Sequence, residues 1–293
     1  MKGAFKKMKK DLIYKGFTLV ADLDGTMLYP IDKMRLVPPR ARTFIRDFVK
    51  CGGRLIISTG RNLSFTEKVR KILRVPADLN ACNGTVIKLS EGKVIHNVYI
   101  KRRILEDFER KLFEITPKAL FGLNTTNKRV AVRINDFNRQ SSLGALKHFK
   151  GIFGRRGCYN SENSDVAFNR ACEHTNSTFV YVADDNKRQQ VRTMIDKEFA
   201  GKLKFCDGQA FEVVPFGENK AKSVQRLVDH YKLDINKLYV VGDDANDISS
   251  FEAFYLNSFC VRRKGNDEFC KRAKYTIDNF ADVEEYLKKA INS

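Results

Sequence analysis

The chain has 293 residues, 43% hydrophobic and 30% charged, enough apolar material for about two packed domains and too much for a disordered polymer. Its formal charge is +19, from 54 Lys and Arg against 35 Asp and Glu, a field that concentrates anions. No apolar run approaches the length of a bilayer span, and the seven cysteines include no CxxC pair, so neither a membrane anchor nor a zinc pattern is expected. Reduced thiols in a cytoplasm are the simplest account of those cysteines.

Residues 1–16 read as a basic leader, with Lys2, Lys6, Lys7, Lys9 and Lys10 but no apolar signal-peptide core. Phe17 to Ala21 is a buried-strand pattern that ends in Asp22-Leu23-Asp24-Gly25-Thr26. Residues 38–51 predict a helix, opened by Pro38 and Pro39 and stopped by Gly52 and Gly53. Arg54 to Ser58 predicts a second buried strand, closed by Thr59-Gly60-Arg61, and a helix follows at 64–74. This strand–helix alternation implies a parallel sheet. Ala81 to Leu89 and Gly92 to Ile100 predict a hairpin around Glu91 and Gly92.

The pattern changes between about 100 and 208. Helical stretches (103–114, 141–153, 186–199) alternate with strand-like runs (128–134, 177–183, 202–206), which predicts an inserted α+β domain. Phe211 to Pro215 is expected to return to the first domain. A helix at 219–231 and a strand at Lys237 to Val241 lead to a second acidic turn, Gly242-Asp243-Asp244-Ala245-Asn246-Asp247. An amphipathic helix at 281–291 closes the chain. The expected organisation is a leader (1–16), a first core segment (17–99), the insertion (100–208) and a second core segment (209–293).

Four elements fall at strand ends or helix starts of the parallel part: Asp22 with Asp24, Ser58-Thr59-Gly60, Lys220, and Asp243 with Asn246 and Asp247. A parallel sheet puts the carboxyl ends of its strands on one edge, so these segments can meet there. Each alone has an ordinary account: an acidic turn, a helix cap, a solvated lysine. Together they make one chemistry. Asp22, Asp243, Asp247 and a backbone carbonyl are hard oxygen ligands suited to Mg²⁺. A lysine, a hydroxyl and loop N–H groups can grip a phosphoryl group. One carboxylate of the first turn can attack or bind a cation, and its neighbour can carry a proton.

The motifs DLDGT, ISTGR, Lys220 within FEVVPFGENKAKSV, and GDDANDISSF occur in the order of the haloacid dehalogenase superfamily. The chain resembles its Cof-type, class IIB sugar-phosphatase-like branch over nearly its whole length, and Asn83-Gly84 resembles an Asn-Gly turn of that branch. The resemblance implies an α/β Rossmann-like core of the HAD type with an inserted α+β cap. It implies that Asp22 is the nucleophile and that Asp24 carries the proton. Ser58, Thr59, Gly60, Lys220 and Asn246 would bind the phosphoryl group, and Arg61 and Asn83 would contact substrate. Mg²⁺ would be held by Asp22, Asp243 and the Asp24 carbonyl, with Asp247 behind them or acting through water. The sequence departs from the branch at Ala221, Asp244 and Thr85, none of which removes a catalytic group.

The implied activity is Mg²⁺-dependent phosphatase action on a small phosphorylated metabolite, a sugar phosphate in the first instance. Asn124, Arg129, Arg133 and the Gly151 to Gly157 loop with Arg155 and Arg156 are candidate cap contacts. A monomer or homodimer is expected, with no membrane partner. The basic residues are scattered and no nucleic-acid motif accompanies them, so nucleic acid is not the expected partner. Two alternatives stand beside this reading: a phosphomutase of the phosphomannomutase type, and a non-catalytic basic protein that binds nucleic acid.

Overall fold

The computed structural model describes residues 12–31, 34–126, 130–134, 164–207 and 211–292. Its first sheet is built from short apolar runs. Strand β1 (Thr18–Ala21) is buried throughout. Its parallel neighbours are β4 (Arg54–Ser58) and β13 (Leu238–Gly242), with Leu19 opposite both Leu55 and Tyr239. Strands β14 (Ser258–Val261) and β15 (Tyr275–Ile277) extend the parallel sheet on one side, and β5 (Asp78–Ala81) on the other. Antiparallel β6 (Val86–Lys88) and β7 (Val94–Asn97) finish it, giving the order β15-β14-β13-β1-β4-β5-β6-β7. A hairpin of β2 (Tyr29–Ile31) and β3 (Met34–Leu36) follows the first acidic turn.

Alternate residues of the strands face opposite cores. Leu19, Ala21, Leu55 and Ile57 pack with helices α1 (Pro39–Lys50), α2 (Leu63–Leu73) and α9 (Val283–Asn292). Val20, Ile56 and Val240 pack with α6 (Lys220–Tyr231) and with Phe251 of α7 (Ile248–Ala253). Helix α1 forms because Ala41, Phe44, Ile45 and Phe48 recur at helical spacing and make one apolar stripe. Pro39 fits its first turn, where no intrahelical N–H is needed.

The second sheet is antiparallel, in the order β11 (Leu203–Cys206), β12 (Phe211–Pro215), β10 (Thr175–Tyr181), β8 (Leu120–Thr125), β9 (Val130–Ile134). One face packs Phe121, Leu123, Val180, Phe211 and Val213 against α3 (Arg102–Ile115) and α5 (Asp185–Glu198). Helix α4 (Ser164–Ala171) brings Phe168 into the same core, and α8 (Asp267–Cys270) packs Phe269 and Cys270 against the first sheet's core of Val20, Ile56 and Val240. The two connections between the sheets are tied down. The Asn176 amide donates to Asn97 Oδ1 at 2.7 Å and to the Val98 carbonyl at 2.8 Å. On the return, Arg226 donates to both carboxylate oxygens of Glu218.

Three expectations change. Phe211–Pro215 does not return to the first sheet; it pairs with β10 and β11 of the second. Ala81 to Leu89 is not one strand: Asp78–Ala81 runs parallel to β4, and a turn at Cys82–Gly84 separates it from β6. The leader ends earlier than residue 16, because Tyr14 is buried with its ring 5.0 Å from Phe48 and its N–H donating to the Cys51 carbonyl. The helix expected at 141–153 lies outside the described residues. No helix among the described residues is long and apolar enough to cross a membrane.

Candidate active site

The site is assembled from the carboxyl ends of β1, β4, β5 and β13 and the first turn of α6. At the end of β1, the Asp22 N–H donates to the Val241 carbonyl at 2.9 Å, which holds the two acidic turns side by side. Gly25 then turns with φ +85°, and a Cβ there would lie 1.9 Å from a carboxylate oxygen of Asp243. Only glycine lets the turns approach this closely. Thr26 Oγ1 donates to Asp243 Oδ1 at 2.5 Å.

Asn219 caps α6 by accepting from the Lys222 N–H, and so fixes Lys220 in the first turn. Lys220 is 1% exposed. Its ammonium donates to Asp22 Oδ1 at 2.7 Å, Asp247 Oδ1 at 2.7 Å and Asn246 Oδ1 at 3.1 Å. Burial disfavours that ammonium, but Asp22 and Asp247 outweigh burial and hold it well above the usual lysine range. Burial lifts the Asp22 carboxyl well above the carboxylate range; Lys220 opposes this, and Asp247 and Asp243 add to it. Asp243 is pushed up to about 7, by burial first and then by Asp247.

Oxygen atoms of Asp22, Asp243 and Asp247 all lie within 4.8 Å of one another. One lysine cannot neutralise three buried carboxylates, and such a set is costly without a further positive charge. The donors are all hard oxygens, so the residues fit Mg²⁺.

The remaining candidates surround this cluster. Asp24 is gripped by Arg61, whose Nε and Nη2 donate to its two oxygens at 2.6 and 2.8 Å. Thr59 is buried; its Oγ1 accepts from the Arg61 N–H at 3.1 Å, and its carbonyl accepts from the Asn83 N–H at 3.0 Å. Asn246 Nδ2 donates to Asn83 Oδ1 at 3.1 Å, which joins the turn after β5 to Lys220. Gly60 lies two residues past the end of β4. Ser58 Oγ accepts from Asn80 at 2.8 Å, so this hydroxyl ties β4 to β5. The carboxylate of Asp244 accepts from the Ala245 N–H and caps the turn that presents Asn246 and Asp247.

The expected cap contacts fare differently. Asn124 is buried in β8 and donates to Ser177 Oγ at 3.0 Å. Arg133 stands opposite Phe121 in the sheet register. Arg129, the Gly151 to Gly157 loop, Arg155 and Arg156 lie outside the described residues. Three contributors were missed in the sequence. Arg263 Nε donates to the Gly25 carbonyl at 2.6 Å, and Asn266 Nδ2 donates to the Asp243 carbonyl at 2.8 Å, bracing both acidic turns from behind. Glu212 of β12 accepts from Asn83 Nδ2. Its signal was available: a carboxylate amid the apolar run FEVVP, eight residues before Lys220.

A parallel α/β layer with an antiparallel insertion, and an acid-and-lysine cluster at its carboxyl edge, define a hydrolase-type site of the Cof-like fold. The family model described as haloacid dehalogenase-like hydrolase matches residues 19–284, and the chain belongs to that family. A Mycoplasma genitalium protein named "Putative phosphatase" is 22% identical over 281 residues, covering 92% of this chain and 97% of that protein. Among solved structures, a haloacid dehalogenase-like hydrolase from B. subtilis is 19% identical, with a TM-score of 0.74 over 92% of this chain and 98% of that one. A HAD/COF-like hydrolase from Plasmodium vivax has a TM-score of 0.72 at 22% identity, covering 97% and 96%.

Proposed function

We propose that the protein is a Mg²⁺-dependent phosphatase that hydrolyses a small phosphorylated metabolite, a sugar phosphate in the first instance, through a phosphoryl group carried on Asp22. The observation that carries this reading is the Lys220 ammonium bridging Asp22 and Asp247 at 2.7 Å each inside the three-carboxylate cluster. The name of the Mycoplasma genitalium relative supports it.

In this reading an Asp22 oxygen attacks phosphorus and the ester C–O–P bond breaks on the phosphorus side. Asp24 gives its proton to the leaving alkoxide. A water then attacks the phosphoryl group, Asp24 takes a proton from it, and Asp22 and phosphate separate. Two smaller barriers replace one large one. Lys220, Asn246, Thr59 and the Gly60 N–H stabilise the phosphoryl oxygens. The entering ester competes with Asp24 for Arg61, which frees Asp24 to handle the proton. Asp22, Asp243 and the Asp24 carbonyl would hold Mg²⁺, with Asp247 behind them, and the cation would offset repulsion between nucleophile and ester. Asp244 acts as a turn cap. We take the second sheet as the cap, with its far boundary after Pro215. Caps of this kind exclude water from the first step.

Phosphate release from a panel of sugar phosphates, polyol phosphates, hexose 1-phosphates and p-nitrophenyl phosphate tests the reading. Release from at least one natural ester at a rate abolished by Asp22→Asn is expected. Isomerisation of a hexose 1-phosphate with no release would make the protein a mutase, and salt-sensitive nucleic-acid binding with no turnover would make it an idle binder.

A further inference from the structure

Two cysteines stand together behind the second acidic turn. Cys260 lies in β14 and is buried; Cys270 ends α8, which packs on β14, and is half-buried. The Cys270 thiol donates to Cys260 Sγ at 3.0 Å. A disulfide needs about 2.05 Å between its sulfurs, so a shift of about 1 Å would join them. Asn266, 5% exposed, sits between this pair and the acidic turn. Its Nδ2 donates to the Asp243 and Val261 carbonyls at 2.8 and 2.9 Å and lies 3.7 Å from Cys260 Sγ. Its Oδ1 accepts from the Arg263 N–H at 2.8 Å and lies 3.5 Å from Cys270 Sγ. Its carbonyl accepts from the Cys270 N–H at 3.0 Å. One residue therefore touches both sulfurs and the backbone of Asp243, a member of the three-carboxylate cluster.

We propose that Cys260 and Cys270 are a modification site: a small-molecule disulfide such as oxidised glutathione closes them into a disulfide bond, and closure, acting through Asn266, weakens cation binding at the Asp243 turn. Burial first, and then Cys270, hold the Cys260 thiol well above the usual range, so alone it is inert. Cys270 is the sulfur that an oxidant can reach. Its sulfur attacks one sulfur of the oxidant, the oxidant's S–S bond breaks, and the departing glutathione takes up the Cys270 proton. Cys260 Sγ then attacks Cys270 Sγ, and the second glutathione leaves with the Cys260 proton. Cys260 needs no solvent access for this step, because its target is the neighbouring sulfur. Two protein thiols are oxidised and one small disulfide is reduced to two thiols. Drawing the sulfurs together removes the Cys270 thiol hydrogen and moves the end of α8 against β14. Asn266 is bonded to both elements, so its hold on the Asp243 carbonyl must change. Groups one step behind a metal ligand tune affinity by roughly 10–100-fold. The coupling rests on the proposed cation site; the thiol chemistry does not.

The test uses the full chain, reduced, freed of reductant and incubated with oxidised glutathione. Peptide mass mapping reads the product, and calorimetric titration with Mg²⁺ reads cation affinity, so neither readout depends on turnover. Wild type should give a cross-link between the peptides that hold Cys260 and Cys270, with two hydrogens lost and no glutathione retained there. Cys260→Ser should instead keep glutathione on Cys270, and Cys270→Ser should give no cross-link. Oxidised wild type should bind Mg²⁺ about tenfold more weakly than the reduced protein, and dithiothreitol should restore the affinity. The affinity of Cys270→Ser should not respond to the oxidant. No cross-link in wild type, or glutathione left on its Cys270, overturns the thiol pair. A cross-link with unchanged Mg²⁺ affinity overturns the coupling through Asn266 and leaves the phosphatase reading intact. A reduced protein that binds no Mg²⁺ overturns the coupling together with the cation site.

Discussion

Asp22 and Lys220 are 198 residues apart in sequence and 2.7 Å apart in space. If Asp22 carries the phosphoryl group, Asp22→Asn should lower turnover by at least about 10³-fold, since no neighbour can form the same bond. Steady-state kinetics on the purified variant checks this, and retention of a tenth of wild-type activity would remove Asp22 from the role. Lys220→Ala should lower kcat for every substrate by roughly 10²–10³-fold, the usual loss on removing one charge-stabilising donor. A change confined to substrate ranking would move Lys220 out of the phosphoryl clamp. Glu212 adds a pH dependence. Burial first, with Asp24 adding to it and Lys220 and Arg61 opposing, pushes its carboxyl up to about 8 from an ordinary value of 4.5. Between those values the folded state keeps a proton that the unfolded state has lost, so this group makes stability fall as pH rises. Tm should therefore drop less from pH 5 to pH 8 in Glu212→Gln than in wild type; parallel profiles would contradict the shift. The candidate site positions were legible because they sit in short motifs at strand ends. Arg263 and Asn266 were not, because a side chain that braces a backbone carbonyl needs no particular pattern around it.

Elements were legible where one apolar period governed them. Helices α1, α2, α5 and α6 lie within a residue or two of their expected bounds. Strand β8 was missed: all six of its residues are buried, so no alternation marks it, and Gly122 and Asn124 interrupt its apolar run. Strand β12 was found but assigned to the wrong sheet, because sheet membership is set by pairing with β10 and β11 and not by its own five residues. Tyr14 lay in a segment read as leader; the short run Leu12-Ile13-Tyr14 after a basic stretch is too brief to show a period, yet Tyr14 closes the core over Phe48. Tyr14→Ala should cost about 3 kcal/mol, the range for deleting a buried aromatic ring. Urea denaturation measures this, and a loss below about 0.5 kcal/mol, the surface value, would place Tyr14 outside the core.

For the whole molecule, the net charge of +19 attracts an anionic ester toward a site whose own carboxylates oppose it. Screening shortens the reach of the field, so kcat/KM for a dianionic substrate should fall as ionic strength rises. The same value at low and high salt would show that the excess charge serves something other than substrate capture. The three buried carboxylates fit a divalent cation, and Asp243, raised to about 7, must lose its proton to bind one. The most direct test is phosphate release from the best ester of the panel, measured with Mg²⁺, with excess EDTA, and after Mg²⁺ is added back. Release that stops with EDTA and returns with Mg²⁺ is the expected result, and full release in excess EDTA would contradict a metal-dependent phosphatase at this site.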